Sequence, residues 1–129
     1  VRGPNPDLAG AFQSAAKARV SALIVMRDPI FLDNAKEIAD LAIKHRMPTI
    51  CEGNEFTDAG GLVSYSTSLA ENSKRAAYFV DKILKGAKPG DLPIEQPTRF
   101  DLIVNRKTAK MLGIKIPNSI LVRATKVIE

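Results

Sequence analysis

The 129-residue chain has no tryptophan, one cysteine, one histidine, two tyrosines and five phenylalanines. Each shortage removes a class of protein. Cys51 has no second cysteine to pair with, and one cysteine with one histidine forms no metal-ligand pattern. His45 is not near Cys51 in sequence, and no serine, cysteine or threonine shows a partnered base, so nothing points to nucleophilic catalysis. There is no GxGxxG and no Walker loop to cradle a phosphate. A phosphoryl-accepting receiver domain needs several acidic residues at strand ends, whereas Asp28 stands alone after its strand. No apolar run approaches the ~20 residues of a membrane-spanning helix. The residues thus give no catalytic, metal or cofactor site, and the expectation is a protein that is not an enzyme.

Apolar and charged fractions are 45% and 26%. This is the balance of a folded globular chain, and the length suits one domain with a modest core. The formal charge is +5. Lys17, Arg19, Lys36, Lys44, Arg46, Lys74, Arg75, Lys82, Lys85, Lys88, Lys107 and Lys110 are spread along the chain, and aromatics are few. That spread reads as solvated faces rather than a nucleic-acid surface. The chain opens at Val1 with no leader-like stretch, and the expectation is a piece of a longer protein.

Val1 to Gly3 reads as the end of a strand and Pro4 to Pro6 as a turn. Asp7 or Asn5 is placed to cap a helix over residues 7–18, where Leu8, Ala11, Phe12 and Ala15 recur at helical spacing. Residues 20–26 form a nearly continuous apolar run, the pattern of a strand covered on both faces. Asp28 and Pro29 then suit the N-cap and first position of a helix, and Ala35, Ile38, Ala39 and Ala42 form its buried stripe to about His45. His45 at that helix end is explained by the helix dipole. Residues 47–51 read as a second strand with Glu52 to Asn54 as its exit.

Residues 55–66 organise the rest: a polar loop, the pair Gly60-Gly61, a short strand over 62–65, and Ser66 leading to a helix. Glycines there allow positive φ or close backbone approach. Ser68 and Glu71 have capping-box spacing, and Leu69, Ala76, Val80 and Ile83 predict the core stripe of a helix over 69–85. Residues 86–93 are rich in breakers and mark a boundary. A strand over 98–104 follows. Asn105 then caps a short helix closing at Gly113. A last helix is expected after Pro117, with Ile120, Leu121, Ala124, Val127 and Ile128 on its apolar side. Strand–helix alternation argues for a parallel α/β sheet with right-handed crossovers, in which ligands sit beyond the carboxyl ends of strands. Phe31 and Phe56 are expected in the core, and Tyr65 half-buried. Asp28 and Glu52 are the polar candidates at strand exits.

Several phrases resemble one family. They are Ala59-Gly60-Gly61-Leu62-Val63-Ser64-Tyr65, then the run from Val80 through Lys85-Gly86-Ala87-Lys88-Pro89. Asp91-Leu92-Pro93-Ile94-Glu95-Gln96-Pro97 and Val104-Asn105-Arg106-Lys107-Thr108-Ala109-Lys110 follow. The chain resembles, over nearly its whole length, the C-terminal part of ABC-transporter substrate-binding proteins of the group related to tryptophan and tyrosine receptors. That resemblance implies a type I periplasmic binding protein fold, here an incomplete three-layer lobe with a parallel sheet. Residues 1–87 would be most of the C-terminal ligand-binding lobe. Residues 88–129 would be the crossover segment, strand and terminal helices returning towards the other lobe.

The resemblance also implies a ligand-facing set: Asp28 and Pro29 after the first strand, Glu52 and Asn54 after the next, and Ala59, Gly60, Ser64 and Tyr65 around the third. Relatives that bind aromatic amino acids tend to carry Asp-Asn where this chain has Asp28-Pro29. The implied role is the extracytoplasmic or periplasmic solute-binding component of an ABC importer. Its partners would be a small-molecule ligand and an ABC permease, with no nucleic acid and no direct membrane insertion. The alternative is a receptor-like sensory or interaction domain without transport. A lone lobe exposes apolar surface, so self-association is expected.

Overall fold

The computed structural model describes residues 5–129, so the expected strand at Val1 to Gly3 and the start of the Pro4 turn lie outside the described residues. Asp7 caps α1 (Leu8–Lys17) by accepting a hydrogen bond from the Gly10 amide at 2.8 Å. The chain then forms β1 (Leu23–Val25), α2 (Pro29–Asp33), α3 (Ala35–Lys44), β2 (Thr49–Cys51), α4 (Asn54–Asp58) and β3 (Val63–Thr67). After α5 (Leu69–Leu84) and a 3-10 turn (Pro89–Asp91) come β4 (Phe100–Asn105), α6 (Arg106–Leu112), α7 (Asn118–Leu121) and β5 (Lys126–Ile128).

The chain divides into two compact units. One comprises the chain up to Ser66 together with Asp101–Glu129, and the other is Thr67–Phe100. Among the described residues five strands lie in the order β1-β2-β3-β4-β5. β1, β2 and β3 are mutually parallel, and β4 and β5 are parallel to each other. Between the two sets the direction reverses. The amide of Asn105, the last residue of β4, donates to the carbonyl of Leu62, just before β3, at 2.9 Å. The sheet is therefore mixed and mostly parallel.

The register sets Val25, Cys51 and Ser64 side by side. Because side chains alternate across a strand, this row faces one side of the sheet, where the core lies. Val25 and Cys51 join Leu8, Phe12, Ala35, Ile38, Ala42, Met47 and Phe56 in one cluster. The α3 stripe is the one its spacing predicts, and Phe56 is 1% exposed. Phe31 packs partly buried against the cluster. His45 caps the end of α3 and stacks on Phe12 with ring centroids 5.9 Å apart.

The opposite row is open. Ile24 is in register with Ile50, and Ile50 with Val63. Ile24 is 76% exposed and Ile50 41%. The apolar run 20–26 thus yields a three-residue strand at the edge of the described sheet, exposed on one face, where its composition predicts cover on both. A continuous apolar run records the partners a strand is built for, whether or not they lie within the chain.

The unit Thr67–Phe100 contains α5 and the segment that folds back along it. Arg75 forms an ion pair with Glu95 and lies over the Tyr78 ring, 4.0 Å from its centroid. The Arg75 guanidinium holds the Glu95 carboxyl below the usual range. The Ser68 amide donates to the Arg99 carbonyl at 3.2 Å. The expected capping box is not formed: Ser68 makes no side-chain cap bond, and Glu71 pairs with Lys74 at 3.0 Å instead. The predicted α5 stripe is present but unburied, since no residue of α5 is buried and this unit holds no second α-helix to receive it. The predicted last helix also shortens: it ends at Leu121, and Val127 and Ile128 belong to β5. Valine and isoleucine fit a strand as readily as a helix stripe.

Candidate functional site

The carboxyl ends of β1 and β2 bring two short loops together. Glu52 continues the ladder, its amide donating to the Val25 carbonyl at 2.9 Å. Its carboxylate in turn accepts from the Arg27 amide at 3.3 Å. The Arg27 guanidinium donates to Glu55 at 2.7 Å. It passes Gly53, whose φ is +131° and whose missing Cβ would stand 3.3 Å from the guanidinium and 2.7 Å from the Glu55 carboxylate. The φ is what calls for glycine here, since the carboxylate and guanidinium tips sit on flexible side chains that can move aside. Asp28 caps α2, accepting from the Ile30 amide at 2.9 Å, and Pro29 occupies the first helical turn. One carboxylate oxygen of Asp28 remains for other donors. This corner carries three carboxylates, Asp28, Glu52 and Glu55, and one cation, Arg27, which is paired with Glu55, so it favours a ligand group that donates hydrogen bonds or carries positive charge.

Asn54 opens α4 and links this corner to β3. The hydroxyls of Ser64 and Ser66 each donate to its side-chain oxygen at 3.4 Å. Thr57 donates to the Asn54 carbonyl at 2.8 Å, and its hydroxyl lies 3.2 Å from that of Ser64. Ser64 is fully buried within this network. Its hydroxyl works through Asn54 and Thr57 rather than at the surface. Tyr65 points to the other face, that of Ile24 and Ile50, and is 49% exposed.

Ala59 and Gly60 are not brought to the same end. β3 is parallel to β2, so α4 and the residues after it carry the chain back to the amino end of β3. Ala59 caps α4, and Gly60 turns at φ +112°. The Gly60 carbonyl accepts from the Thr108 hydroxyl at 2.7 Å, and the Asn105 side-chain amide donates to the Thr57 carbonyl at 3.3 Å. Asn105 also caps α6, which closes at Gly113 in a left-handed conformation, as its sequence predicts. The glycine pair therefore ties α4 to the start of α6. Of the eight sequence candidates, Asp28, Pro29, Glu52 and Asn54 share one corner. Ser64 lies beneath it, Tyr65 on the opposite face, and Ala59 and Gly60 at the far end of the sheet.

Arg27, Gly53, Glu55 and Ser66 belong to this corner and were missed by sequence reasoning. Arg27 and Glu55 flank the candidates by one position each. Their pairing across 28 residues leaves no local signal. Ser66 is recoverable from the two-residue alternation with Ser64 once α4 is known to begin at Asn54.

In open α/β sheets ligands bind beyond the carboxyl ends of the strands, which is where these polar loops lie. The chain belongs to the family of ABC transporter substrate binding proteins, which matches residues 5–128. Two similar solved structures span the same elements. One is a conserved domain protein from Vibrio cholerae (25% identity, TM-score 0.82, covering 94% of this chain and 40% of that one). The other is an ABC domain in complex with L-Trp from Streptococcus pneumonia (26% identity, TM-score 0.86, covering 99% of this chain and 43% of that one). A ligand-free, open substrate binding protein with adhesive properties from Clostridium difficile shares the fold, with 19% identity and TM-score 0.73 over 100% of this chain and 42% of that one. The chain thus spans about two-fifths of the length of these solved relatives. No curated protein is significantly similar to it. The incomplete periplasmic-binding-protein fold and the family implied by the sequence phrases both stand.

Proposed function

We propose that these residues supply one wall of a small-molecule site in an extracytoplasmic solute-binding protein that serves an ABC importer. The observation that carries the reading is the convergence of Asp28, Glu52 and Asn54 at the carboxyl ends of β1 and β2, within a chain of the substrate-binding family. The other wall comes from polypeptide beyond these residues, since the solved relatives are more than twice as long. Binding without covalent chemistry is the role, and an ABC permease is the partner. The ligand class is an amino acid or a related compound with an ammonium group. The carboxylate-rich corner suits such a group, and the Streptococcus relative holds L-Trp. Asp28 is the direct contact and Glu52 a second acceptor. Pro29 shapes the approach, and Tyr65 contacts the ligand only if the second wall reaches the face it lies on.

Calorimetric titration of the parent polypeptide with L-tryptophan, L-tyrosine, other amino acids, small sugars and dicarboxylates tests this. An ammonium-bearing compound should bind and raise the melting temperature. Asp28→Ala should weaken that binding at least tenfold, because it removes a charge-assisted bond. A dicarboxylate or neutral sugar as the best ligand would remove the ammonium assignment. Unchanged affinity in Asp28→Ala would remove the site.

A further inference from the structure

We propose that the edge of the sheet formed by α6, α7 and β5 is a docking surface for an anionic phospholipid membrane. The first observation is where the charge lies. Residues 1–105 hold thirteen lysines and arginines and thirteen aspartates and glutamates, whereas residues 106–129 hold six and one. The whole formal charge of +5 therefore resides in the last 24 residues. The basic residues look dispersed along the sequence, but the net charge is not.

The second observation is that most of this charge is unspent. Arg106 pairs with Glu129 at 2.8 Å and Lys126 with Asp58 at 3.2 Å. Lys107, Lys110, Lys115 and Arg123 have no carboxylate partner among the described residues. Lys107, Lys110 and Lys115 line a groove of about 630 Å³ over Ala109, Ile114 and Leu121. The edge lies across the sheet from β1, so occupying it does not occupy the β1 exit loop.

The third observation selects the partner. On α6 the exposed positions Lys107, Lys110 and Met111 fall at helical spacing on one face, with Met111 59% exposed among the lysines. Val122, next to Arg123, is 83% exposed. Cations with isolated protruding apolar side chains match a lipid interface, where head groups take the charge and the apolar tips enter the acyl boundary. A single-stranded nucleic acid would want stacking platforms, and there is no aromatic residue after Phe100. A protein partner would want a contiguous apolar patch with a polar rim, whereas Met111 lies on α6 and Val122 just past the end of α7.

The test is co-sedimentation of the 129-residue chain with vesicles of phosphatidylcholine alone and of phosphatidylcholine with phosphatidylglycerol. The chain should partition onto the anionic vesicles, and added salt should release it. Each lysine near such a surface is worth about fivefold in partitioning, so K107Q/K110Q/K115Q together should cost about a hundredfold. The control K36Q/K44Q/K85Q should change little. Spin-labelled lipid should broaden the Met111 and Val122 methyl signals of the unsubstituted chain, a readout that needs no variant. The proposal is overturned by equal partitioning onto neutral vesicles, by no partitioning at all, or by a triple variant that binds like the parent. Tighter binding to soluble polyglutamate than to vesicles would also overturn it, in favour of an acidic protein partner.

Discussion

The side-chain oxygen of Asn54 accepts the Ser66 hydroxyl at 3.4 Å, and that of Ser64 at the same distance, fastening the first turn of α4 to β3. Both serines are buried, and α4 itself is only five residues long. Such a helix owes little to its own hydrogen bonds and much to what holds its ends. The tie also fixes where the Glu52–Asn54 loop sits relative to the sheet. Asn54→Ala leaves the buried Ser66 hydroxyl without its acceptor and Ser64 with Thr57 alone, a loss of about 1–3 kcal/mol. Asn54→Asp keeps an acceptor and should cost less. Urea unfolding of both variants checks this through the midpoint at unchanged slope. An alanine variant as stable as the parent would show that the tie contributes nothing.

Gly60 and Gly61 are required for different reasons. Gly60 adopts φ +112°, and an added Cβ would meet only the Ala39 side chain at an ordinary 3.6 Å. Gly60→Ala should therefore cost the strain of its backbone alone, about 1–3 kcal/mol. At Gly61 an added Cβ would lie 2.7 Å from the Phe56 carbonyl oxygen. That carbonyl is fixed, because the Gly61 amide donates to it at 2.7 Å. Gly61→Ala must shift backbone at the end of α4, next to the buried Phe56, and should be the more damaging change. Thermal unfolding of the pair ranks them, and the reverse order would contradict the geometry.

Cys51 is buried in the core between β1 and β3, and burial pushes its thiol up to about 11 from 9.0, against a smaller opposing hydrogen bond from Thr49. The folded state therefore prefers the neutral thiol more than the unfolded state does. The resulting stability is fully present below about pH 9 and is lost as pH rises from there through about 11. Its size is about 2–3 kcal/mol at one pKa unit per 1.36 kcal/mol. Denaturant midpoints should fall over that window in the parent and fall less in Cys51→Ala, compared from each protein's own value at pH 8. Thiol reagents at neutral pH should react only after unfolding. Rapid labelling of the folded chain would show that Cys51 is not sealed.

Much of the first unit was legible in sequence because its signals are local. Asp7, Asp28 and Asn105 cap helices as their positions predict, and the α3 stripe faces the core. The site was half legible. Asp28, Glu52 and Asn54 follow strands, so strand–helix alternation alone puts them near one end. The resemblance puts Ala59 and Gly60 in the ligand-facing set, but α4 intervenes and carries the chain back to the amino end of β3. That helix hides within five residues, Asn54–Asp58, too few to show a period. The reversal of β4 relative to β3 is likewise absent from any local pattern, since strand direction follows from the path of the intervening chain. Composition in turn misjudged what covers each element, as Ile24 and the stripe of α5 show.

The open face of the sheet argues for association. Ile24, Ile50 and Tyr65 stand on one side of β1, β2 and β3, and among the described residues β1 is an edge strand. A parallel sheet is ordinarily covered on both faces, and an uncovered apolar face of this kind associates or aggregates. The isolated 129-residue chain should therefore sediment as a dimer or larger species at micromolar concentration. Ile24→Lys should shift it towards monomer without unfolding it, because Ile24 is 76% exposed and contributes little to the core. Circular dichroism verifies that the variant is folded, which separates lost association from lost structure. A monodisperse monomer of the unsubstituted chain at high concentration would mean that this face is tolerated in water. The apolar surface would then have to be accounted for by the longer parent alone.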